Sequence, residues 1–474
     1  MQERVDASLN NFYIFNPTFG TTEGEEENKI LFFHPPDSDT NNQIKTVGLS
    51  EAIIKFTRNF VSQEECKSVH TLKTRQYFYQ AQPNYWMVMT VNVPYTKSKN
   101  GLKETVYHGE NVQDDVYHSI LKQAYEMYQL FYDSFQPPSE IQVDLVLLKE
   151  KISQFYSKYL QILKISNCDI VDVFQGIQFL PLDKKTYLHA QSFMNQFQCI
   201  FHDQVVFSAL LVKEHLVWSN IELTDLRTIY RYLITTLLSS HLTENQNGAG
   251  TVDNSNLSEM KSGNGISYLN EADYSRFITC PSFYSNIDSE PVTQVPRLIL
   301  RSGDRSIFQL LVYKVMSSFV CLFVPDAYEL TLEFMRSIES FLRSKLIALA
   351  SELSMHLEKK RFTKGIVSSV GHTFSYVYFN RLNLAQKNTL RDHQAHLTAE
   401  VLSMLADISF DSKKKDSVGE TIVKTYDDFW IIGQFCNERE FYVVTQQKNS
   451  TLIEISDEMK IIRDKQLKSI YFHV

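Results

Sequence analysis

The sequence predicts an α/β protein built as three tandem modules, each a mainly antiparallel sheet flanked by helices. Short β-branched and aromatic runs end at prolines or polar turns, which is how strands are punctuated. Longer segments between them carry apolar residues at helical spacing. One order of elements, two strands, a helix, further strands and closing helices, recurs along the chain without any sequence repeat to accompany it. A length of 474 residues holds about three domains at roughly 150 residues each, with boundaries expected at 8–165, 166–357 and 358–474. The 43% apolar and 13% aromatic content fills several cores and excludes a disordered scaffold.

In the first module Phe12-Tyr13-Ile14-Phe15-Asn16-Pro17 and Lys29-Ile30-Leu31-Phe32-Phe33-His34-Pro35 read as strands, joined by a polar, acidic loop too long for a tight turn. A helix over 48–60 places Leu49, Ala52, Ile53, Phe56 and Phe60 on one stripe, expected to face the sheet. Glu51, Lys55 and Arg58, with Ile54 beside them, then fall on the opposite, free face. Strands follow over 69–79 and 85–94, with Gln82-Pro83-Asn84 as the turn. A helix opens at Asp114-Asp115 and runs to about Phe135 through Ile120, Ala124, Met127 and Phe131. After Pro137-Pro138, Ser139 and Gln142 form a capping box for a helix carrying Ile141, Leu145, Leu148, Ile152, Phe155, Tyr159 and Ile162. Without clean charges beside that stripe it reads as a helix packed on its own domain rather than a coiled coil.

The second module begins with a helix over 183–197, a hairpin over 205–219 and a helix over 223–238. An Asn-, Gly- and Ser-rich stretch near 243–275 reads as a mobile insertion. Strands resume over 297–300, 308–315 and 319–324, and a long helix covers 327–357. In the third module Phe374-Ser375-Tyr376-Val377-Tyr378-Phe379, Phe429-Trp430-Ile431-Ile432, Phe441-Tyr442-Val443-Val444 and Leu452-Ile453-Glu454-Ile455 read as strands, with a helix near 397–406.

This order of elements is that of a longin domain. More narrowly, Asn16-Pro17-x-Phe19-Gly20, Glu23-Gly24-x-Glu26-Glu27-Asn28-Lys29-Ile30-Leu31-Phe32 and Gly48-Leu49-x-Glu51-Ala52-Ile53 resemble the Ccz family of subunits of the Mon/Ccz complex. So do Trp86-Met87-Val88-Met89, Phe379-Asn380-x-Leu382-Asn383-Leu384-Ala385-x-Lys387 and Gln446-Gln447-Lys448-Asn449. The likeness touches both ends of the chain and is diffuse over 243–296. It implies half of a guanine-nucleotide exchange factor that pairs with a Mon-type longin subunit and activates the late-endosomal Rab GTPase. It further implies a third regulatory subunit in animals, and peripheral recruitment to late endosome, lysosome or vacuole, and autophagosome membranes. Longin domains also serve as adaptors and tethers without exchange activity, which is the competing expectation.

A net charge of −8 argues against nucleic acid as the main partner, because backbone binding needs a basic face. The local basic runs, Lys97, Lys99 and Lys103, Lys359-Lys360-Arg361-x-x-Lys364 and Lys413-Lys414-Lys415, read as solvated loops. Six scattered cysteines without a C-x-x-C pair fit reduced thiols, and no stretch has the length of a signal peptide or a membrane span. A soluble, cytoplasmic protein is therefore expected.

Phosphate-cradling and nucleophile-elbow motifs are absent from the sequence, so no cofactor and no bond-making residues are expected. His393-x-x-His396 and Cys199-x-x-His202 each lack a second metal-binding pair. Asp114-Asp115 and Asp427-Asp428 read as caps or turns. The function classes left standing bind through surfaces. The expected partner and Rab surface is Glu51, Ile54, Lys55 and Arg58 on the first helix, with Trp86 and Met87 on the neighbouring strand and the acidic loop from Glu23 to Asn28 beside them.

Overall fold

The computed structural model describes residues 3–60, 66–97, 105–136, 144–242, 275–281, 294–301, 305–362, 374–390, 397–415 and 419–467. The chain forms two compact units, Met1–Gln175 with Asn388–Asn437, and Gly176–Lys387 with Glu438–Val474.

The first unit is organised by a five-stranded antiparallel sheet in the order Ile30–His34, Ser8–Phe15, Tyr85–Asn92, Thr74–Gln82, Ser68–His70. Its alternation is strict. Tyr13, Phe15, Trp86 and Val88 point to one face and pack under helix Thr40–Arg58. Phe12, Ile14, Met87 and Met89 point to the other and pack under helices Asp114–Tyr132 and Leu145–Ile162. With both faces covered, every residue from Tyr85 to Val91 is buried, so an uninterrupted aromatic and β-branched run is what this strand requires.

Helix Thr40–Arg58 is rotated from the sequence expectation. Its buried residues are Val47, Ser50 and Ile54, while Leu49, Ala52, Phe56 and Phe60 are exposed. A polar contact explains the rotation: Ser50 Oγ lies 2.6 Å from Tyr13 Oη, and Gln76 Nε2 donates to both, at 2.7 Å to Tyr13 and 3.1 Å to Ser50. Turning the Leu49 stripe inward would expel Ser50 and leave the buried Tyr13 hydroxyl and Gln76 amide poorly satisfied, a loss of about 1–3 kcal/mol per orphaned group.

Helix Asp114–Tyr132 stops short of Phe135 because Asp133 takes φ 64° and ψ −74°, a γ-turn in which Ser134 N donates to Tyr132 O at 2.8 Å. Phe135 then folds back, its ring 5.0 Å from Tyr125 and 4.9 Å from Tyr128. Helix Leu145–Ile162 is capped by Asp144, whose Oδ1 accepts from the Val146 and Leu147 amides. The expected cap, Ser139 with Gln142, lies outside the described residues. The helix packs on its own sheet through Leu148, Ile152, Tyr156 and Leu160. The same unit contains helix Ala399–Lys415, longer than expected, and the hairpin Gly419–Lys424 with Phe429–Cys436.

In the second unit the sheet order is His215–Ser219, Phe207–Val212, Ser318–Pro325, Ser306–Val315, Ser275–Thr279, with Arg297–Leu300 also pairing Ser306–Val315. Helices Lys184–Phe201 and Leu332–Phe362 cover one face. Phe193, Met194 and Phe197 from the first and Ile338, Leu342, Leu346 and Leu353 from the second meet Leu210, Leu311, Tyr313 and Leu322 in one core. The long helix starts at Leu332 rather than near 327 because the chain turns first, Tyr328 N donating to Pro325 O. Helix Leu223–Tyr232 passes into a wider turn at Leu233–Leu237. Of the expected insertion, 243–274 lies outside the described residues, and Ser275 already belongs to a strand.

The third sequence module supplies this unit with Phe374–Asn380 paired to Arg439–Gln446, and with Ala385–Asn388 paired in parallel to Ile177–Gln178. Leu452-Ile453-Glu454-Ile455 is not a strand. Thr451 and Glu454 close a reciprocal capping box that starts helix Leu452–Gln466, and Ile455, Met459 and Ile462 form its buried stripe. Two basic runs expected in loops are helical instead, Lys359, Lys360 and Arg361 in Leu332–Phe362 and Lys413, Lys414 and Lys415 in Ala399–Lys415.

Candidate docking surface

Helix Thr40–Arg58 brings three of the six expected site residues together. Glu51 accepts from Lys29 Nζ at 3.0 Å and from Lys55 Nζ at 2.5 Å. Partial burial opposes the Glu51 charge, but the hydrogen bonds from Lys55 and Lys29 prevail and hold its carboxyl below the usual range. Lys29 closes the turn Glu26–Lys29, so this partly buried pair ties the acidic loop to the helix. The Arg58 guanidinium lies 5.7 Å from the Trp86 ring centroid, covering an indole that is itself 2% exposed.

The other expected residues, Ile54, Trp86 and Met87, are buried rather than on the surface. Ile54 and Trp86 lie beneath the helix, in one core cluster. Met87, one residue on, points through the opposite face of the sheet and is fully buried, where the Tyr156 hydroxyl approaches its sulfur. Period-two alternation makes it impossible for adjacent Trp86 and Met87 to serve one surface. Their role is support.

The surface that is free lies on the reverse of the same helix. Leu49 is 60% exposed, Phe56 63% and Phe60 73%, with the Phe56 and Phe60 rings 4.8 Å apart. Gly48 and Ala52 sit on the same side, and a Cβ added at Gly48 would meet nothing. The small pair lets another element approach the helix closely. Burying a Leu or Phe against that element is worth about 1.5–3 kcal/mol each. Hydrophobicity alone suggested the reverse orientation. The signal that could have corrected it is Ser50, whose hydroxyl needs the Tyr13 partner that only the buried side offers.

Comparison with known proteins gives the family and the fold. The described first longin domain of INTU, CCZ1 and HPS4 matches residues 9–133, and INTU longin-like domains 2 and 3 match 205–347 and 371–462. A Xenopus laevis protein called vacuolar fusion protein CCZ1 homolog is 38% identical over 479 residues, covering 99% of this chain and 98% of its own. The chain belongs to the CCZ1 family. A Nematostella vectensis relative of the same name is 37% identical over 476 residues, 99% of each chain. One from Dictyostelium discoideum is 27% identical over 472, 98% of each. Three longin-like domains and the mixed sheet-and-helix fold thus agree with the sequence reading.

Within this family member the groups with strongly shifted acidity are core groups. Burial pushes the Tyr13, Tyr117, Tyr128, Tyr156 and Cys321 protons up, favouring their neutral forms. Among the described residues no group of three or more His, Cys, Asp or Glu could hold a metal ion, and no helix is long and apolar enough to cross a membrane. Cys199 and His202 are both exposed, and His202 pairs with Asp203 at 3.1 Å. His393 and His396 lie outside the described residues.

Proposed function

We propose that this chain is the Ccz-type subunit of a heterodimeric guanine-nucleotide exchange factor that works with a Mon-type longin partner on the late-endosomal Rab GTPase. It acts through surfaces rather than bond making: a complex that binds nucleotide-free Rab more tightly than loaded Rab lowers nucleotide affinity by that ratio. The relatives' printed name, vacuolar fusion protein, supports a role in vacuole fusion. Endosome maturation, lysosome and autophagosome fusion, peripheral recruitment to those membranes and a third regulatory subunit in animals are part of the proposal and go beyond that name.

The observation that carries the reading is the exposed apolar face Leu49, Phe56 and Phe60, on a longin module whose sheet has a buried cluster on each face. Glu51, Lys55 and Arg58 border it as the charged flank. The test is release of labelled GDP from the Rab by the chain alone, by the Mon-type subunit alone and by the coexpressed pair. Release by the pair only is the expected result. Stable pairing with no release would favour the adaptor or tether reading, and full release by this chain alone would reject the composite site.

A further inference from the structure

An edge strand presents a row of unpaired backbone groups, which folded proteins blunt by shortness, bulges, proline or cover. Several edges of this molecule are blunted in these ways. Ser68–His70 is three residues long, and Ser68 Oγ and His70 Nε2 are both tied to Asp114 Oδ2 at 2.7 Å. Ile30–His34 carries a bulge at Leu31 and stops at Pro35. His215–Ser219 is covered where Leu180 N donates to Leu216 O at 2.9 Å. Gly419–Lys424 differs from all three. It lies at the end of its sheet, pairs with Phe429–Cys436 over its whole length without a register shift, and leaves Gly419, Glu420, Thr421 and Lys424 exposed.

The backbone and side chains of this edge have defined directions. Thr425 N donates to Phe429 O at 2.8 Å. Antiparallel alternation from that pair directs the amides and carbonyls of Thr421 and Val423 toward Phe429–Cys436, and those of Glu420, Ile422 and Lys424 outward. Glu420, Ile422 and Lys424 also share one face: Gln434 Nε2 donates to Glu420 Oε1 at 3.0 Å, and Lys424 Nζ lies 4.9 Å from the Trp430 ring centroid. From Glu420 to Lys424 the strand reads acid, β-branched, isoleucine, β-branched, base. Turned end for end about Ile422, that pattern is complementary to itself.

We propose that Gly419–Lys424 pairs with the same strand of a second copy of this chain, antiparallel and centred on Ile422. In that register Ile422 exchanges hydrogen bonds with its copy, each Glu420 faces a Lys424, and each Thr421 lies beside a Val423. The outward amides and carbonyls of Glu420, Ile422 and Lys424 are then all matched. The Glu420 carboxylate keeps acceptor sites beyond the one Gln434 uses, and the Lys424 ammonium keeps donors beyond Asp428, 3.6 Å away. Asp427 and Asp428 sit in the turn beyond the paired span. Helix Ala399–Lys415 covers the other face over Phe429–Cys436, where a Cβ on Gly433 would meet Ile408 at 2.8 Å. Its two copies would stand about 14 Å apart, three strand spacings, whereas packed helices approach to about 8–10 Å, so they leave room for the pairing. Twofold pairing consumes this edge on both chains and closes as a dimer.

Sedimentation velocity of the full-length chain over a concentration series tests this. A background of Leu49→Asp with Phe56→Asp keeps the first helix from contributing to association. The mass should rise toward twice that of one chain and no further. Glu420→Lys and Lys424→Glu each set like charges opposite one another at both ends of the pair, and each should weaken self-association by about tenfold or more. Mixed one to one, the two variants should regain the parent affinity, as should both exchanges placed in one chain, because opposite charges then meet again. Ile422→Pro removes an outward amide and should abolish the dimer with little change in melting. A constant monomer mass, single variants that dimerise as well as the parent, a mixture that stays monomeric, or a dimer that survives Ile422→Pro would each overturn the proposal. So would growth beyond the dimer, the mark of open edge aggregation rather than closed pairing.

Discussion

Helices Thr40–Arg58 and Asp114–Tyr132 lie on opposite faces of one sheet and have the same length of 19 residues, yet they are used differently. The second buries ten residues, from Val116 to Leu130. The first buries three, one of them a serine, and turns Leu49 and Phe56 to solvent. One helix is committed to the fold. The other is fixed by a few polar contacts in an orientation that keeps its most apolar side available, so equal length and shared topology do not imply equal contribution to stability.

The largest expected effect lies on the fold side. Tyr156 is fully buried and stacks on Tyr128 with centroids 5.8 Å apart. Tyr156→Ala should cost about 3–5 kcal/mol, read as a fall in the thermal or denaturant midpoint. The partner side should respond in reverse. Leu49→Asp with Phe56→Asp should change stability by no more than about 0.5 kcal/mol while weakening association with the Mon-type subunit by about 2 kcal/mol or more, roughly thirtyfold. Melting and affinity measured on the same two proteins break the comparison if both mutants lose stability equally.

Much of the first module is legible in sequence because its strands alternate against two covered faces. Phe12, Tyr13, Ile14 and Phe15 pair with Trp86, Met87, Val88 and Met89 where the apolar runs place them. The rotation of helix Thr40–Arg58 is not legible from hydrophobicity, since the apolar stripe is exposed and the buried stripe contains a serine. Trp86 and Met87 mislead for a related reason: an aromatic strand looks special, but burial is its whole explanation. At Leu452-Ile453-Glu454-Ile455 β-branched composition competes with a local cap. Thr451 and Glu454 are spaced to satisfy two helix-end amides, and that local bonding decides the element.

Ser50→Ala sharpens the contrast at intermediate magnitude. It removes the 2.6 Å contact with Tyr13 but leaves the Gln76 amide on the Tyr13 hydroxyl, so the expected loss is about 1 kcal/mol. The consequence specific to this helix is looser rotational control. Amide exchange along Thr40–Arg58 should rise more than along Asp114–Tyr132. A uniform rise in both helices would show that Ser50 contributes to global stability only.

The smallest effect concerns the charged flank. The Glu51 carboxyl is held below its ordinary 4.5, so the folded state binds fewer protons than the unfolded chain and this contribution to stability rises with pH. It is fully present above about 4.5 and is lost as pH falls through the lower, folded value. Lys55 is 69% exposed and solvent screens its share, whereas Lys29, at 20%, should supply most of the coupling. Thermal melting of Glu51→Gln and the parent should therefore differ at pH 7 and converge toward pH 3. Lys29→Met should reproduce more of that difference than Lys55→Met. The opposite ranking would place the useful charge on the exposed side of the helix rather than on the side that secures it to the acidic loop.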